Sequence, residues 1–416
     1  MGSLDRPKLR PLPASRFEWD GRLFVKFDDP AGVVSDPVLI PLDAYQRVVR
    51  HFDGRTTLPQ VLDRIRSETG QDVEMAELVR LVTQLDQAMV LDGPRFDAFH
   101  QTFRRGQVRP PALAGRSYPA TERALREELA SYFTHARGSG HPTPSPAKAR
   151  GRTRLRGVLS PHIDYQRGGP TYSWAYRELA ERSDAEVFVV LGVAHQACVQ
   201  RFALTRKDFD TPLGTLATDR AYVDLLAERA GKHLFDDELA HRTEHSIEFQ
   251  AVFLKYMFPH RRNIAMVPVL VGSFHDLMDA GVDPIDDDEV SRFIAALREA
   301  ERRSGKKVAY IGAVDLSHIG PEFGDPAPVD DAQRERLERF DQAMLDRVAA
   351  NDPRGWFETA ARVGNRWRVC GLAATYTMLH ALGRVRGRVA RYDQAIDDRG
   401  QCCVSFASTV FEAERE

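Results

Sequence analysis

From Leu155 onward, unbroken apolar runs alternate with stretches whose apolar positions recur at helical spacing. The runs are 156–160 (RGVLS), 186–193 (EVFVVLGV), 264–271 (IAMVPVLV) and 306–314 (KKVAYIGAV). Apolar runs of this length, bounded by turn residues, predict strands buried on both faces. Helical patterns fall between them, near 172–182, 221–230, 245–258 and 288–303, and an apolar helix is predicted over 372–382. The segment 403–411 (CVSFASTVF) alternates and predicts a last strand. Strands and helices in alternation predict an α/β fold, a sheet flanked by helices.

The first hundred residues have a different texture. Short apolar stretches at 23–27 and 38–42 predict two strands, and helices are predicted over 43–52, from after Thr57 to about 69, and over 73–91. In the third helix Leu78, Leu81, Val82, Leu85 and Met89 share one face. Helices followed by a short extended end predict a small winged-helix-like domain over 1–100. The α/β domain then spans 101–416. It begins with a connector, 101–156, that holds 12 Lys/Arg against 3 Asp/Glu and one amphipathic helix near 122–133. Its stretch 136–154, rich in Gly, Pro, Ser and Arg, reads as a flexible basic loop, either solvated or touching an acidic partner.

Composition narrows the function classes. Apolar residues make up 43% of the chain, enough for a sizeable core, which excludes disorder as a whole. The net charge is -2, and residues 1–100 carry 13 Lys/Arg against 16 Asp/Glu, so nucleic-acid binding is not expected. The start, MGSLDRPKLRPLP, carries no apolar signal-peptide core, and no apolar run approaches the ~18 residues of a membrane span, which predicts a cytoplasmic protein with no membrane association. Four cysteines are too few for a disulfide scaffold. The acidic run 276–289 lacks the spacing of a calcium loop and reads as a solvated loop and helix start.

In open α/β sheets, functional groups gather beyond the carboxyl ends of the strands. The strand at 156–160 is followed by His162, Asp164 and Tyr165, the strand at 186–193 by His195, and the strand at 306–314 by Asp315 and His318. One such histidine is ordinarily structural. Three at equivalent strand ends point to a shared site, and neutral imidazole is the commonest metal ligand. Glu244 and His245 open the helix at 245–258, either as part of that site or as capping groups, with Thr243 as N-cap and Glu248 suited to the positive helix end. Cys370 opens the helix at 372–382, where a thiol pKa is lowered and a thiolate is a competent ligand. Cys198, Cys402 and Cys403 sit in or beside apolar stretches and read as structural. Zinc-finger, Walker, dinucleotide-binding and serine-hydrolase motifs are absent from the sequence.

The segments AGRSYP, SPHIDY, GVAHQ, TPLG, EHSIE, VPVLVG, DLSH and Cys370-Gly371 stand in the order found in the Memo family. The chain most resembles its bacterial branch, AmmeMemoRadiSam system protein B, from about Val108 onward. The N-terminal module resembles PqqD-like peptide-recognition domains, through FDG (52–54) and TLPQVLDRI (57–65) followed by a long helix. The first resemblance implies a fold similar to class III extradiol dioxygenases, with a metal at the sheet edge. It places the two-histidine, one-cysteine metal site on His162, His195 and Cys370. The acid/base histidine falls on His318, with Asp315 beside it, and Glu244 and His245 line the same pocket. Ile163-Asp164 stands where several members have Ala-Gly, so the pocket wall is expected to differ.

Two imidazoles and an anionic ligand leave open positions for oxygen, water or substrate. The carboxylate version of such a site suits Fe(II), and a thiolate shifts preference toward copper and zinc. Fe(II) is the expected cofactor, with Cu or Zn as alternatives, in a dioxygenase-like oxidoreductase whose acid/base His318 would titrate near neutral pH. Two other readings compete. One is a peptide- or protein-binding scaffold, in which the N-terminal module takes a peptide by strand addition. The family resemblance adds a radical SAM protein and an AMMECR-domain protein as partners. The other is a zinc hydrolase using metal-activated water.

Overall fold

The computed structural model describes residues 4–34, 37–143, 155–196, 198–259 and 264–414. Most of the basic loop expected over 136–154 therefore lies outside the described residues. The chain divides into two compact units, Met1–Gly106 and Gln107–Glu416.

The N-terminal unit holds an antiparallel sheet of β1 (Ala14–Trp19), β2 (Arg22–Phe27) and β3 (Val38–Pro41). Its helices are α1 (Leu42–Arg47), α2 (Leu58–Thr69), α3 (Met75–Gln87) and α4 (Pro94–Arg105). The motif TLPQ starts α2 through a capping box: Thr57 accepts from the Gln60 backbone, and the Gln60 side chain accepts from the Thr57 N–H at 2.9 Å. Val61, Ile65, Leu78, Val82 and Leu85 join Val25, Phe27 and Ile40 of the sheet in one core.

The predicted helix over 43–52 is shorter than expected. It stops at Arg47, beyond which Val48 leaves helical geometry and a 3-10 turn covers Val49–His51. The helix predicted to 91 ends at Gln87, because Met89 takes a left-handed φ of 55° and Leu91 bridges Leu9. Strand β1 and helix α4 have no counterpart in the prediction. All six residues of β1 are exposed and none of α4 is buried, so neither imposes a core-facing period on its sequence.

In the second unit the predicted runs become β5 (Leu155–Ser160), β6 (Val187–Val193), β9 (Ala265–Val271) and β10 (Val308–Ala313). The two-residue strands β4 (Val108–Arg109) and β8 (Asp208–Phe209) form a separate pair. With β7 (Phe202–Leu204), β11 (His318–Ile319), β12 (Val385–Ile396) and β13 (Cys403–Ala413), the runs form a mixed sheet of eight strands. Its order is β11-β13-β5-β10-β6-β9-β7, with β12 beside β13. The four central strands are parallel, while β13 and β7 run antiparallel to them. Along β6, Val187, Val189, Leu191 and Val193 face one core, and Phe188 and Val190 face the other. Helices α7 (Arg220–Ala230), α10 (Asp288–Ser304), α12 (Pro353–Ala361) and α13 (Leu372–Leu382) cover the first face. Helices α5 (Glu122–Thr134), α6 (Tyr165–Arg182) and α8 (His245–Met257) cover the second. This is the expected α/β architecture.

Helix α6 starts at Tyr165, a full turn and more before the predicted 172, and so includes Gly168-Gly169. A Cβ on Gly169 would lie 2.5 Å from the Tyr132 ring of α5, and one on Gly168 would lie 2.4 Å from Ile163 Cγ2. Gly169→Ala is therefore expected to destabilise the protein by about 1–3 kcal/mol, the usual cost of overfilling a core, measured by denaturant unfolding.

Helices α9 (His275–Asp279) and α11 (Asp331–Ala349) complete the unit. Asp341 of α11 is buried, accepts from Ser317 Oγ at 2.6 Å and Tyr392 OH at 2.9 Å, and its carboxyl pKa is pushed up to about 6 by burial. The folded protein therefore holds this proton more tightly than the unfolded chain, whose value is 3.8. Stability is full below the lower value and is lost as pH rises through the upper, by on the order of 3 kcal/mol. Asp341→Asn is expected to show a smaller pH slope across that window, measured by unfolding below, within and above it.

Candidate metal centre

The sheet order brings the chemistry together. Strands β5, β10 and β6 are neighbours and parallel, so His162, Asp315 and His195 emerge at one edge. Helix α8 begins over the same edge and adds His245. The imidazoles of His162, His195 and His245 have ring centroids 4.6–5.2 Å apart, and one ring nitrogen of each lies within 4.8 Å of the others.

Each imidazole is oriented from behind. His162 Nδ1 lies 2.8 Å from the carbonyl of Ala313. His195 Nδ1 and His245 Nδ1 lie 3.0 and 3.1 Å from the same carboxylate oxygen, Oε1 of Glu244. Each Nδ1 thus carries a proton and donates it to an acceptor, so in each neutral ring the lone pair is on Nε2, which in His162 is met by Cys370 Sγ. Metal-binding histidines are held in this way by their outer partners. Glu244 is buried and also accepts the backbone N–H of His195 at 3.0 Å. Its pKa is held well below the usual range: burial opposes this, but its bonds to His195 and His245 prevail. Burial and the two neighbouring imidazoles keep His162 neutral, as a ligand must be. His195 is the open side of the cluster, with 36% of its side chain exposed.

Cys370 Sγ lies 3.3 Å from His162 Nε2, and the Asp315 carboxylate lies 3.6 Å from the same nitrogen. The thiol does not behave as its helix-start position predicts. Burial, with Asp315 beside it, pushes its pKa well up rather than down. Asp315 is itself raised to about 6 by burial, and it accepts the His162 backbone N–H at 2.9 Å.

His318 sits on β11, and its Nδ1 faces the carbonyls of Arg368 at 3.1 Å and Leu316 at 3.2 Å. Burial lowers its pKa to about 4, well below the expected neutral value, so it is an uncharged imidazole with Nε2 as acceptor. Asp164 caps α6 and pairs with Arg167, and Tyr165 is fully buried with its hydroxyl donating to the Phe249 carbonyl at 2.7 Å. Two capping expectations change. The N-cap of α8 is Glu244, which accepts from Ser246 N, whereas the Thr243 hydroxyl accepts from Gln196 Nε2 at 2.7 Å.

Glu248 is not an exposed helix-end charge. It is fully buried against Arg109, whose guanidinium also donates to the carbonyls of His241 at 2.7 Å and Glu244 at 3.0 Å. The same carboxylate accepts from the backbone of Ala112 and Leu113 at 3.0 and 2.9 Å and from the Tyr118 hydroxyl. The segment around AGRSYP thereby clamps the start of α8. Arg109 carries no sequence signal of its own, because it is one basic residue within a basic connector.

The fold and this cluster define a class: a mixed α/β sheet, dioxygenase-like in architecture, with an imidazole group at the carboxyl edge of its strands that is able to hold a metal. The chain belongs to the Memo family, since residues 109–410 match the family described as Memo-like protein. A MEMO1 family protein of Methanopyrus kandleri is 32% identical over 310 residues, covering 73% of this chain and 98% of its own. One from Aquifex aeolicus is 26% identical over 391 residues, covering 92% of this chain and 94% of its own. One from Thermus thermophilus is 28% identical over 347 residues. Among the described residues, no helix is long and apolar enough to cross a membrane.

Proposed function

We propose that His162, His195 and His245 hold one transition-metal ion and that the protein is a metal-dependent oxidoreductase. The observation carrying this reading is the common posture of the three imidazoles, each with Nδ1 tied back and the lone pair on Nε2, within one small group. Iron(II) is the first candidate; copper and zinc are the alternatives, because imidazole suits all three. Cys370 is the fourth donor. Its thiol is protonated in the metal-free protein, and a bound ion would favour its loss of the proton, adding a soft, oxidisable ligand. The metal, when bound, would supply the redox chemistry.

The chain's own residues do the rest. Glu244 fixes two ligands in one tautomer, and Asp315 fixes the backbone of a third. The uncharged His318 acts as a proton acceptor through Nε2, a role that its two carbonyl partners at Nδ1 enforce.

The test is anaerobic purification, metal analysis, and measurement of oxygen or peroxide consumption by wild type and Cys370→Ser. The reading expects bound iron or copper and turnover that the variant loses. Zinc alone, with ester or amide hydrolysis, would establish the hydrolase instead. Equal metal content in both proteins with no turnover in either would remove the redox proposal.

A peptide-partner role for the N-terminal unit has one supporting observation. Among the described residues β1 pairs with β2 alone, and Phe17 and Trp19 are exposed on it, which suits strand addition. Deleting the unit should abolish partner capture and leave metal content unchanged. Radical SAM and AMMECR-domain partners remain a proposal drawn from the family resemblance.

A further inference from the structure

Strand β1 is an open edge of the N-terminal sheet. All six of its residues are exposed, and among the described residues its one strand neighbour is β2. The pairing with β2 decides which backbone groups point outward. A two-residue turn, Asp20-Gly21, with φ of 49° and 70°, sets Trp19 opposite Arg22. The Pro13 carbonyl accepts the Asp28 N–H at 3.1 Å, so Pro13 faces β2. Residues of an antiparallel strand alternate between facing the partner and facing away. Ser15, Phe17 and Trp19 therefore face β2, and Ala14, Arg16 and Glu18 turn their N–H and C=O groups outward, a template for one more strand.

The side chains select that strand. Arg16 and Glu18 are the charged residues of β1, opposite in sign and placed on either side of Phe17. Neither makes an ion pair among the described residues. Charge on an edge discourages chance pairing, and β1 of a second copy is a complementary sequence. In antiparallel pairing about a twofold axis through Phe17, Arg16 of each copy stands opposite Glu18 of the other. Both residues turn their backbone groups outward, so the two positions meet as hydrogen-bonded pairs and the register is allowed. Centring the pair on Arg16 would set two guanidinium groups face to face, and centring it on Glu18 would do the same with two carboxylates, and like charges directly opposite are unfavourable.

At the axis Phe17 meets its symmetry mate. This is a non-hydrogen-bonded position, where Cα atoms lie about 4.5 Å apart and side chains approach closely. Phe17 and Trp19 are 39% and 64% exposed in the single chain. Phe17 stands opposite Phe24 of β2, and the Trp19 ring lies 6.4 Å from that of Phe24. A second copy continues this aromatic row across the axis and joins two three-stranded sheets into one.

We propose that the protein forms a twofold dimer by antiparallel pairing of β1 with β1 of a second copy, in the register that sets Arg16 against Glu18. A twofold interface is self-complementary in this way. One short strand buries little surface, so the association is weak and depends on concentration. The dimer does not rest on the metal centre. It uses the same edge as the peptide role of the N-terminal unit, so a peptide partner would have to displace the second copy.

The test uses the full chain in sedimentation velocity over a concentration series at low salt, with wild type, Arg16→Glu and Glu18→Arg. Wild type is expected to pass from monomer to dimer as concentration rises, and amide exchange in residues 14–19 is expected to slow with it. Each single reversal places like charges at both pairs and should weaken the dimer about 10- to 100-fold. An equimolar mixture of the two variants should form a heterodimer, because the acidic strand of one meets the basic strand of the other. Arg16→Glu combined with Glu18→Arg in one chain should restore the homodimer. Recovery in the mixture also shows that each variant is folded. A wild type that stays monomeric up to about 1 mM would overturn the proposal and leave the edge to a peptide partner. A dimer unmoved by either reversal, or no recovery in both the mixture and the double variant, would overturn it as well. Metal content is expected to be unchanged in every sample, so loss of the dimer counts against this interface alone.

Discussion

Alanine at His245 is expected to lower affinity for zinc or cobalt(II) more than serine at Cys370 does. His245 belongs to the group whose ring nitrogens lie within 4.8 Å of one another, whereas Cys370 Sγ is in close contact with one of them, His162 Nε2. Losing an imidazole leaves two oriented donors, and losing the thiol leaves three. Glu244→Gln calibrates the scale. If the amide oxygen takes the place of Oε1, its NH2 is set against the His195 backbone N–H that Oε2 accepts in the wild type, so two donors face each other and the support of His195 is lost. Loss of an outer partner typically costs 10–100-fold in metal affinity, and His245→Ala should exceed that. Competition titration against a chelator measures all three variants. If His245→Ala binds as wild type does and Cys370→Ser does not, the donor set is His162, His195 and Cys370, and His245 is a pocket residue.

The second large effect concerns the clamp behind the centre. Glu248→Ala leaves the Arg109 guanidinium buried without its counter-charge, and both side chains are fully buried in the folded protein. Removing one partner of a buried pair costs about 3–5 kcal/mol, so denaturant unfolding should show a loss of that size. Replacing both, as Arg109→Met with Glu248→Leu, should cost less than the sum of the single changes, because neither charge is then stranded. Metal affinity should fall in the single variants as well. Arg109 holds the Glu244 carbonyl, and Glu244 holds His195 and His245. A stability loss with unchanged metal affinity would show that the clamp serves the fold alone.

The central strands of the sheet are the most legible part of the chain. Strands β5, β6, β9 and β10 are buried on both faces, so nearly every residue is apolar and the run itself marks the strand. Peripheral elements are less legible. Strand β12 carries Arg386, Arg388 and Arg391 and, among the described residues, pairs with β13 alone, and nearly half of helix α11 is charged, so neither shows a long apolar stretch. The same holds for β1 and α4 in the N-terminal unit, which bury no side chain.

His162, His195, Asp315 and His318 were visible as candidates because each follows a strand, and strand ends can be counted along a chain. Their polarity and partnership could not be. The tautomers depend on Ala313 and Glu244, which lie far away in sequence from two of the imidazoles they hold. The lowered pKa expected for Cys370 rested on local backbone geometry, and burial beside Asp315 reverses it. Arg109 was hidden for the same reason: its role exists only against a carboxylate 139 residues away.

By itself, then, the chain determined its α/β class, the strand ends that carry histidines, and the eight ordered motifs of its family, since these depend on local pattern and order. The tertiary structure alone decided which side chains share a site, which nitrogen of each imidazole is free, and which charges are buried. Those properties arise from groups brought within a few ångströms by strand order, and a linear pattern does not encode the distance between its parts.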